Sequence, residues 1–180
     1  LIESIKDIDL SNIKIVNKFV IIYRNKKKPE NNDKLLKFRL SCKAKKIDFY
    51  VANHVKLALL LKADGLYISA RNKYLNLTNL RNLNYKIIGS AHNIKEINIK
   101  RLQGCSHIIF SRLFETSYDF KKGFLGVIKF NLFRLSIKVN LIPLGGIKIN
   151  NLNKLSMVKC NSVALLSEVK KKPAIISRLF

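Results

Sequence analysis

Pro143-Leu144-Gly145-Gly146-Ile147 closes an apolar stretch and precedes a helix expected to start at Asn150-Asn151. Adjacent glycines let the backbone approach a ligand closely. A helix start behind them offers free N–H groups and the positive end of a dipole. That combination suits a phosphate, although a plain tight turn uses the same residues. Ser90-Ala91-His92 ends another apolar run. His92 can act there as a base or hydrogen-bond donor, or simply enter a helix capped by Asn93. Phe110-Ser111-Arg112-Leu113-Phe114-Glu115-Thr116 gathers a cation, a carboxylate and a hydroxyl. Arg112 can clamp a phosphate or pair with Glu115. Tyr23-Arg24-Asn25-Lys26 carries two cations that fit a diphosphate or a solvated basic loop. Asn53-His54, Arg71-Asn72 and Ser167 follow further apolar runs. A lone histidine such as His54 is more often structural than a ligand.

Several chemistries lose support. Only 11 acidic residues are present, and none of them forms a pair at these positions, so a magnesium site built on two carboxylates is hard to assemble. G-x-S-x-G is absent, and so is a G-x-G-x-x-G after the first apolar run. Cys42, Cys105 and Cys160 stand far apart, with no C-x-x-C pair, so neither a disulfide framework nor a zinc site is suggested.

The elements that must position these residues alternate in type. Apolar runs read as strands at Leu1–Ile5, Phe19–Arg24, Asp48–Ala52, Gly65–Ser69, Lys86–Ala91, His107–Arg112, Val139–Gly145 and Ser162–Ser167. Continuous apolar runs of this kind are the mark of parallel strands covered on both faces. Helical spacing falls at Leu35–Lys46, Val55–Lys62, Ile94–Leu102, Gly123–Leu135, Asn151–Val158 and Pro173–Phe180, with a turn or two around Ser11–Asn17. Repeated βα units predict an α/β fold with a parallel sheet. Both a closed barrel and a doubly wound open sheet satisfy that pattern. One domain over residues 1–180 is expected. A barrel of this length is compact beside the roughly 250 residues typical of the fold.

The formal charge of +24 is compatible with an anionic partner. The lysines are scattered, however, and abundant Lys, Ile and Asn also fit compositional drift. No apolar run approaches the ~18 residues of a membrane span, so no membrane is expected. Cysteine usage suggests a reducing compartment, hence a cytoplasmic setting. The first residue is Leu1 rather than Met, which is compatible with a trimmed N-terminus.

Taken in order, the strand ends resemble the thiamine phosphate synthase and thiazole tautomerase (TenI-like) family. Ile22-Tyr23-Arg24-Asn25-Lys26 is similar to a Gln/Arg/Lys motif, with Ile22 in the Gln place, and Asn53-His54 is similar to an Asn-Asp pair. Val55–Ile68, with its Ala63-Asp64-Gly65 turn, resembles a helix and strand of that family. Ser90-Ala91-His92 matches a Ser-x-His, Phe110–Thr116 the tautomerase version with Phe-Glu-Thr, and Gly145-Gly146-Ile147 and Val163–Ser167 the last two strand ends. The resemblance implies a compact (β/α)8 TIM barrel and a role in thiamine biosynthesis. The family's synthases join a pyrimidine methyl diphosphate to a thiazole phosphate with magnesium, diphosphate departing first. The resemblance gives Arg24 and Lys26 the diphosphate, and places Asn53, Ser90, Thr116, Gly145, Gly146 and Ser167 around substrate phosphates. His92 and Arg112 occupy catalytic ground, Arg112 in the tautomerase's histidine place. The family's magnesium-binding aspartates fall at His54 and Asn72, whose neutral side chains are weaker magnesium ligands than carboxylates.

The expectation is therefore a divergent member that binds a phosphorylated thiazole or pyrimidine, with synthase turnover left to experiment. No cofactor is assigned, magnesium entering only through the resemblance. The partner is a phosphorylated small molecule, and a homo-oligomer is compatible. Two other readings remain: a basic module binding nucleic acid, which lacks any recognition motif, and a related phosphate-binding barrel with another substrate.

Overall fold

The computed structural model describes residues 1–15, 17–25, 30–75, 85–116, 123–171 and 175. Within them lie six strands: β1 (Val20–Tyr23), β2 (Asp48–Ala52), β3 (Gly65–Ile68), β4 (Lys86–Ala91), β5 (His107–Ser111) and β6 (Asn140–Leu144). Five helices are described: α1 (Asn32–Ala44), α2 (Val55–Leu60), α3 (Ile94–Leu102), α4 (Gly126–Ser136) and α5 (Ser167–Lys171). A 3-10 helix spans Ile149–Met157. All neighbouring strands pair in parallel, in the sequential order β1-β2-β3-β4-β5-β6. A doubly wound sheet needs a point where strand order reverses. None exists in this sheet, so the open doubly wound alternative is set aside.

Side chains alternate between two apolar layers, as the period of a strand requires. Ile21, Phe49, Val51, Leu66, Ile68, Ile87, Ile108, Phe110 and Leu141 pack outward, where Leu35, Cys42, Ala58, Ile97 and Phe130 meet them from the helices. Ile22, Tyr50, Tyr67, Ile88 and Ile109 pack inward with Ile142, Leu144, Leu1 and Ala164. This two-sided burial is why the strands read as unbroken apolar runs.

The expected first and eighth strands are reduced to single bridges, Ile2 to Tyr23 and Ala164 to Leu144. The Leu1 amine donates to the Leu165 carbonyl at 3.0 Å, so these two flanking segments touch. What stands is a parallel six-stranded sheet shaped as a half-barrel, with one bridged segment at each edge. Both reductions have local causes. The Glu3 and Ser4 N–H groups donate to Asp7 Oδ2 at 2.7 and 2.9 Å, closing a 3-10 turn instead of extending a ladder. At the other edge the Pro143 carbonyl accepts from Ala164 N at 2.9 Å, but proline has no N–H to return. Ser167, expected at a strand end, instead opens α5. The turn expected around Ser11–Asn17 appears earlier, as 3-10 turns at Ile5–Asp7 and Leu10–Asn12. The expected helix Pro173–Phe180 lies outside the described residues apart from Ile175, which is buried. Among the described residues no helix is long and apolar enough to cross a membrane.

The Ala63-Asp64-Gly65 turn is a structural joint. Asp64 Oδ1 receives Arg39 Nη2 at 2.7 Å and Asp64 Oδ2 receives the Phe49 N–H at 2.7 Å. Arg39 sits among the buried positions of α1, between Leu35 and Cys42, and its side chain is only 8% exposed. Removing the carboxylate would strand a buried guanidinium and a strand N–H. Asp64→Ala is expected to cost about 3 kcal/mol. Urea unfolding of the variant checks this, and a midpoint matching the parent would show that the pair carries no stability.

Candidate functional site

Side chains able to do chemistry collect at the carboxyl ends of the strands. Beyond β1, Arg24 lies within electrostatic reach of the Tyr67 phenol on β3. Burial pushes the Tyr67 phenol above its usual range, while a hydrogen bond with the Ser90 side chain and the Arg24 charge pull it back. Tyr67 and Ser90 are both buried. Arg24, Tyr67 and Ser90 thus form one polar group above the inner apolar layer. Lys26, expected beside Arg24, lies outside the described residues.

Beyond β2, Asn53 adopts a left-handed backbone with φ of 56°. Asparagine is among the few residues that tolerate this region. Its Oδ1 accepts from Ser69 N at 2.9 Å and its Nδ2 donates to Ser69 Oγ at 3.1 Å. Asn72 Nδ2 donates to the same Oδ1 at 3.4 Å. Asn53 therefore ties the ends of β2 and β3 together. His54 does different work: its Nδ1 accepts from Leu57 N at 3.0 Å and caps α2. Asn72 Oδ1 accepts from Tyr74 N at 3.0 Å. These are the positions where the family resemblance places magnesium-binding carboxylates. Neither residue is a carboxylate, and the Nδ1 of one and the amide oxygen of the other are already committed to backbone N–H groups. The donor set does not fit a carboxylate magnesium site.

Beyond β4 and β5, His92 Nδ1 and Ser111 Oγ lie 2.8 Å apart. Glu96 Oε2 accepts from His92 N at 2.7 Å, so histidine both enters α3 and meets a hydroxyl. Arg112 Nη1 donates to Thr116 Oγ1 at 3.0 Å. Arg112 also lies against the glycine pair, since a Cβ on Gly145 would stand 3.2 Å from its Cγ.

Beyond β6, Gly145 and Gly146 have φ of 100° and 69°, which glycine alone adopts at little cost. Leu113 N donates to Leu144 O at 2.9 Å and Phe114 N to Gly145 O at 3.0 Å, tying this turn to the segment after β5. A Cβ on Gly146 would meet the Glu115 and Phe114 carbonyl oxygens at 2.4 and 2.5 Å. Asn151 Nδ2 donates to Gly146 O at 2.8 Å, and its Oδ1 accepts from Lys148 N at 2.8 Å. The helix behind the turn is the 3-10 helix, starting at Ile149, one residue before the expected start at Asn150.

The fold thus brings His92, Arg112, Thr116, Gly145 and Gly146 into one corner through direct contacts and adjacent strand ends. Arg24 with Ser90, and Asn53 with Asn72, make two further groups on the same rim. Ser167 lies in α5, three residues past the Ala164 bridge. Sequence reasoning missed Tyr67, Ser69 and Ser111. Tyr67 carries a legible signal in retrospect, being the polar-tipped residue at the inward position of an apolar strand. A cavity of about 810 Å³ lies at the opposite end of the strands, lined by Val20, Asp48, Lys86 and His107 where strands begin. Parallel α/β folds bind ligands at the carboxyl ends, so the glycine corner is the better candidate.

The sequence pattern of one family, thiamine monophosphate synthase, matches residues 13–169. A thiamine-phosphate synthase of Prochlorococcus marinus subsp. pastoris is 30% identical over 175 residues, covering 93% of this chain and 47% of that protein. One from Pelotomaculum thermopropionicum is 28% identical over 173 residues, covering 88% of this chain and 78% of that protein. The chain spans about half the length of the Prochlorococcus relatives it matches. Among solved structures, a thiamine phosphate pyrophosphorylase from Pyrococcus furiosus superposes with a TM-score of 0.66 at 16% identity, covering 89% of this chain and 84% of that one.

Proposed function

Because the chain belongs to the thiamine monophosphate synthase family, as a divergent member, we propose that its rim of strand ends binds a phosphorylated thiazole or pyrimidine. The observation that carries this reading is the Gly145-Gly146 turn, held in a left-handed conformation with Arg112 packed against it. Backbone and guanidinium together offer an anion close approach and fixed charge. Thr116, in contact with Arg112, supplies a hydroxyl beside the same anion. Arg24, near Ser90 and Tyr67, takes the diphosphate end of a longer ligand. His92, set against Ser111, is the group available to move a proton. The six strands with their two bridged edge segments then act as a compact eight-stranded barrel around the inner apolar layer. His54 and Asn72 do not supply the carboxylates that magnesium prefers.

The direct test is formation of thiamine phosphate from pyrimidine methyl diphosphate and thiazole phosphate in the presence of magnesium. Absence of turnover at high protein concentration overturns a synthase role. Calorimetric titration with thiazole phosphate tests binding separately, and a flat titration overturns that. For the diphosphate end, Arg24→Gln is expected to weaken inorganic pyrophosphate binding about tenfold, the loss of one charge-assisted contact. Equal affinity in parent and variant would remove Arg24 from the site.

A further inference from the structure

Two side chains from the helix layer reach the rim through backbone carbonyls. Lys100 lies in the last turn of α3 and Gln103 caps its C-terminus, and both are buried, at 0% and 2% exposure. Lys100 Nζ donates to Asn72 O at 2.6 Å and to Gln103 Oε1 at 2.8 Å. Gln103 Nε2 donates to Asn72 O at 3.0 Å and to Tyr74 O at 2.7 Å. The acceptors of the ammonium are amide oxygens, not carboxylates. Gly89 on β4 makes room for the lysine stem, because a Cβ there would stand 2.8 Å from Lys100 Cδ.

Burying an ammonium is costly, and a helix that only needed packing would place an apolar residue here. The cost falls where it can fix something. Asn72 and Tyr74 lie in the segment after β3, and the Asn72 side chain reaches Asn53 Oδ1, which in turn holds Ser69. A continuous path therefore runs from α3, behind the sheet, to the β2–β3 corner of the rim. Burial also pulls the Lys100 amine below the usual lysine range, with the charges of Cys105 and Glu96 acting in the opposite direction.

We propose that Lys100 and Gln103 form a buried clamp that positions the segment after β3, and with it the Asn53–Asn72 corner of the ligand-binding rim. They are positioning residues and do not touch ligand. The part of the inference that concerns ligand rests on the functional reading above.

Lys100→Met keeps the stem and removes the cation. Gln103→Leu removes the second pair of donated bonds. Amide hydrogen exchange over residues 70–75 reads the clamp, and thermal unfolding reads the fold. Pyrophosphate calorimetry reads the rim, because Asn53 N donates to Tyr67 O at 2.8 Å and Tyr67 belongs to the Arg24 group given the diphosphate. In Lys100→Met the melting midpoint is expected within about 3 °C of the parent or above it, as when a buried charge gives way to an apolar side chain. Exchange over 70–75 should nevertheless quicken about tenfold, and the pyrophosphate Kd should rise about tenfold. Gln103→Leu should move both readouts in the same direction, and it serves alone if the lysine variant fails to fold. Unchanged exchange over 70–75 in a folded variant overturns the clamp. Faster exchange with unchanged affinity overturns its positioning role. A parent protein that binds no pyrophosphate defeats the functional reading instead, while the exchange measurement still decides the clamp.

Discussion

Gly65→Val should leave little folded protein to assay. Gly65 opens β3 and pairs with Tyr50 on one side and Lys86 on the other. A Cβ there would stand 2.2 Å from Tyr50 Cε1 and 2.3 Å from the Lys86 carbonyl oxygen. The tyrosine ring belongs to the inner layer, and the carbonyl belongs to a paired strand, so neither can yield without parting β3 from a neighbour. The expected cost exceeds about 4 kcal/mol, a large share of the 5–15 kcal/mol that holds a typical domain together. Far-ultraviolet circular dichroism and urea unfolding check it. A variant unfolding near the parent midpoint would mean that the sheet opens at this point far more easily than its register suggests.

The second large effect is expected at Gly146→Asp. Two costs combine there and can be separated. Any Cβ meets the Phe114 and Glu115 carbonyl oxygens and holds a left-handed φ of 69°, so Gly146→Ala alone should cost about 2–3 kcal/mol. Aspartate adds a negative charge where the proposed ligand carries its own. Thiazole phosphate affinity should therefore fall at least about tenfold further in the aspartate variant than in the alanine variant. Calorimetry on both proteins, at a temperature where each is folded, makes the comparison. Equal affinities would move the phosphate away from this turn.

Much of the fold was legible because its strands are buried on two faces. Phe19-Val20-Ile21-Ile22 and His107-Ile108-Ile109-Phe110 each feed both apolar layers, so no helix-like spacing competes with the strand reading. The edges were harder. Leu1–Ile5 has the apolarity of a strand, yet Ser4 and Asp7 form a capping box that closes it into a turn. Ser162–Ser167 has the same apolarity, and what limits it is a proline in another segment altogether. Site residues divide in a similar way. Gly145-Gly146 is legible as a turn, because adjacent glycines after a strand mark a backbone of positive φ, which both adopt. The Asn53–Ser69–Asn72 group does not, since it depends on which strand ends become neighbours. Lys100 was invisible for another reason: among 35 basic residues, a helical lysine reads as solvated. The most recognisable motif, Ala63-Asp64-Gly65, proved to serve the sheet, with its carboxylate spent on Arg39 and Phe49.

Pro143 has one more effect, on the protein's dealings with other chains. An outer strand with a full row of donors and acceptors is a template for self-association, and natural sheets blunt such edges. β6 is one of the two outer strands of this sheet, and Pro143, the fourth of its five residues, turns its carbonyl to Ala164. The missing N–H that keeps the 162–167 segment from forming a full ladder denies the same ladder to a stranger. A seam that is weak within the molecule is thereby also a poor seed for fibrils.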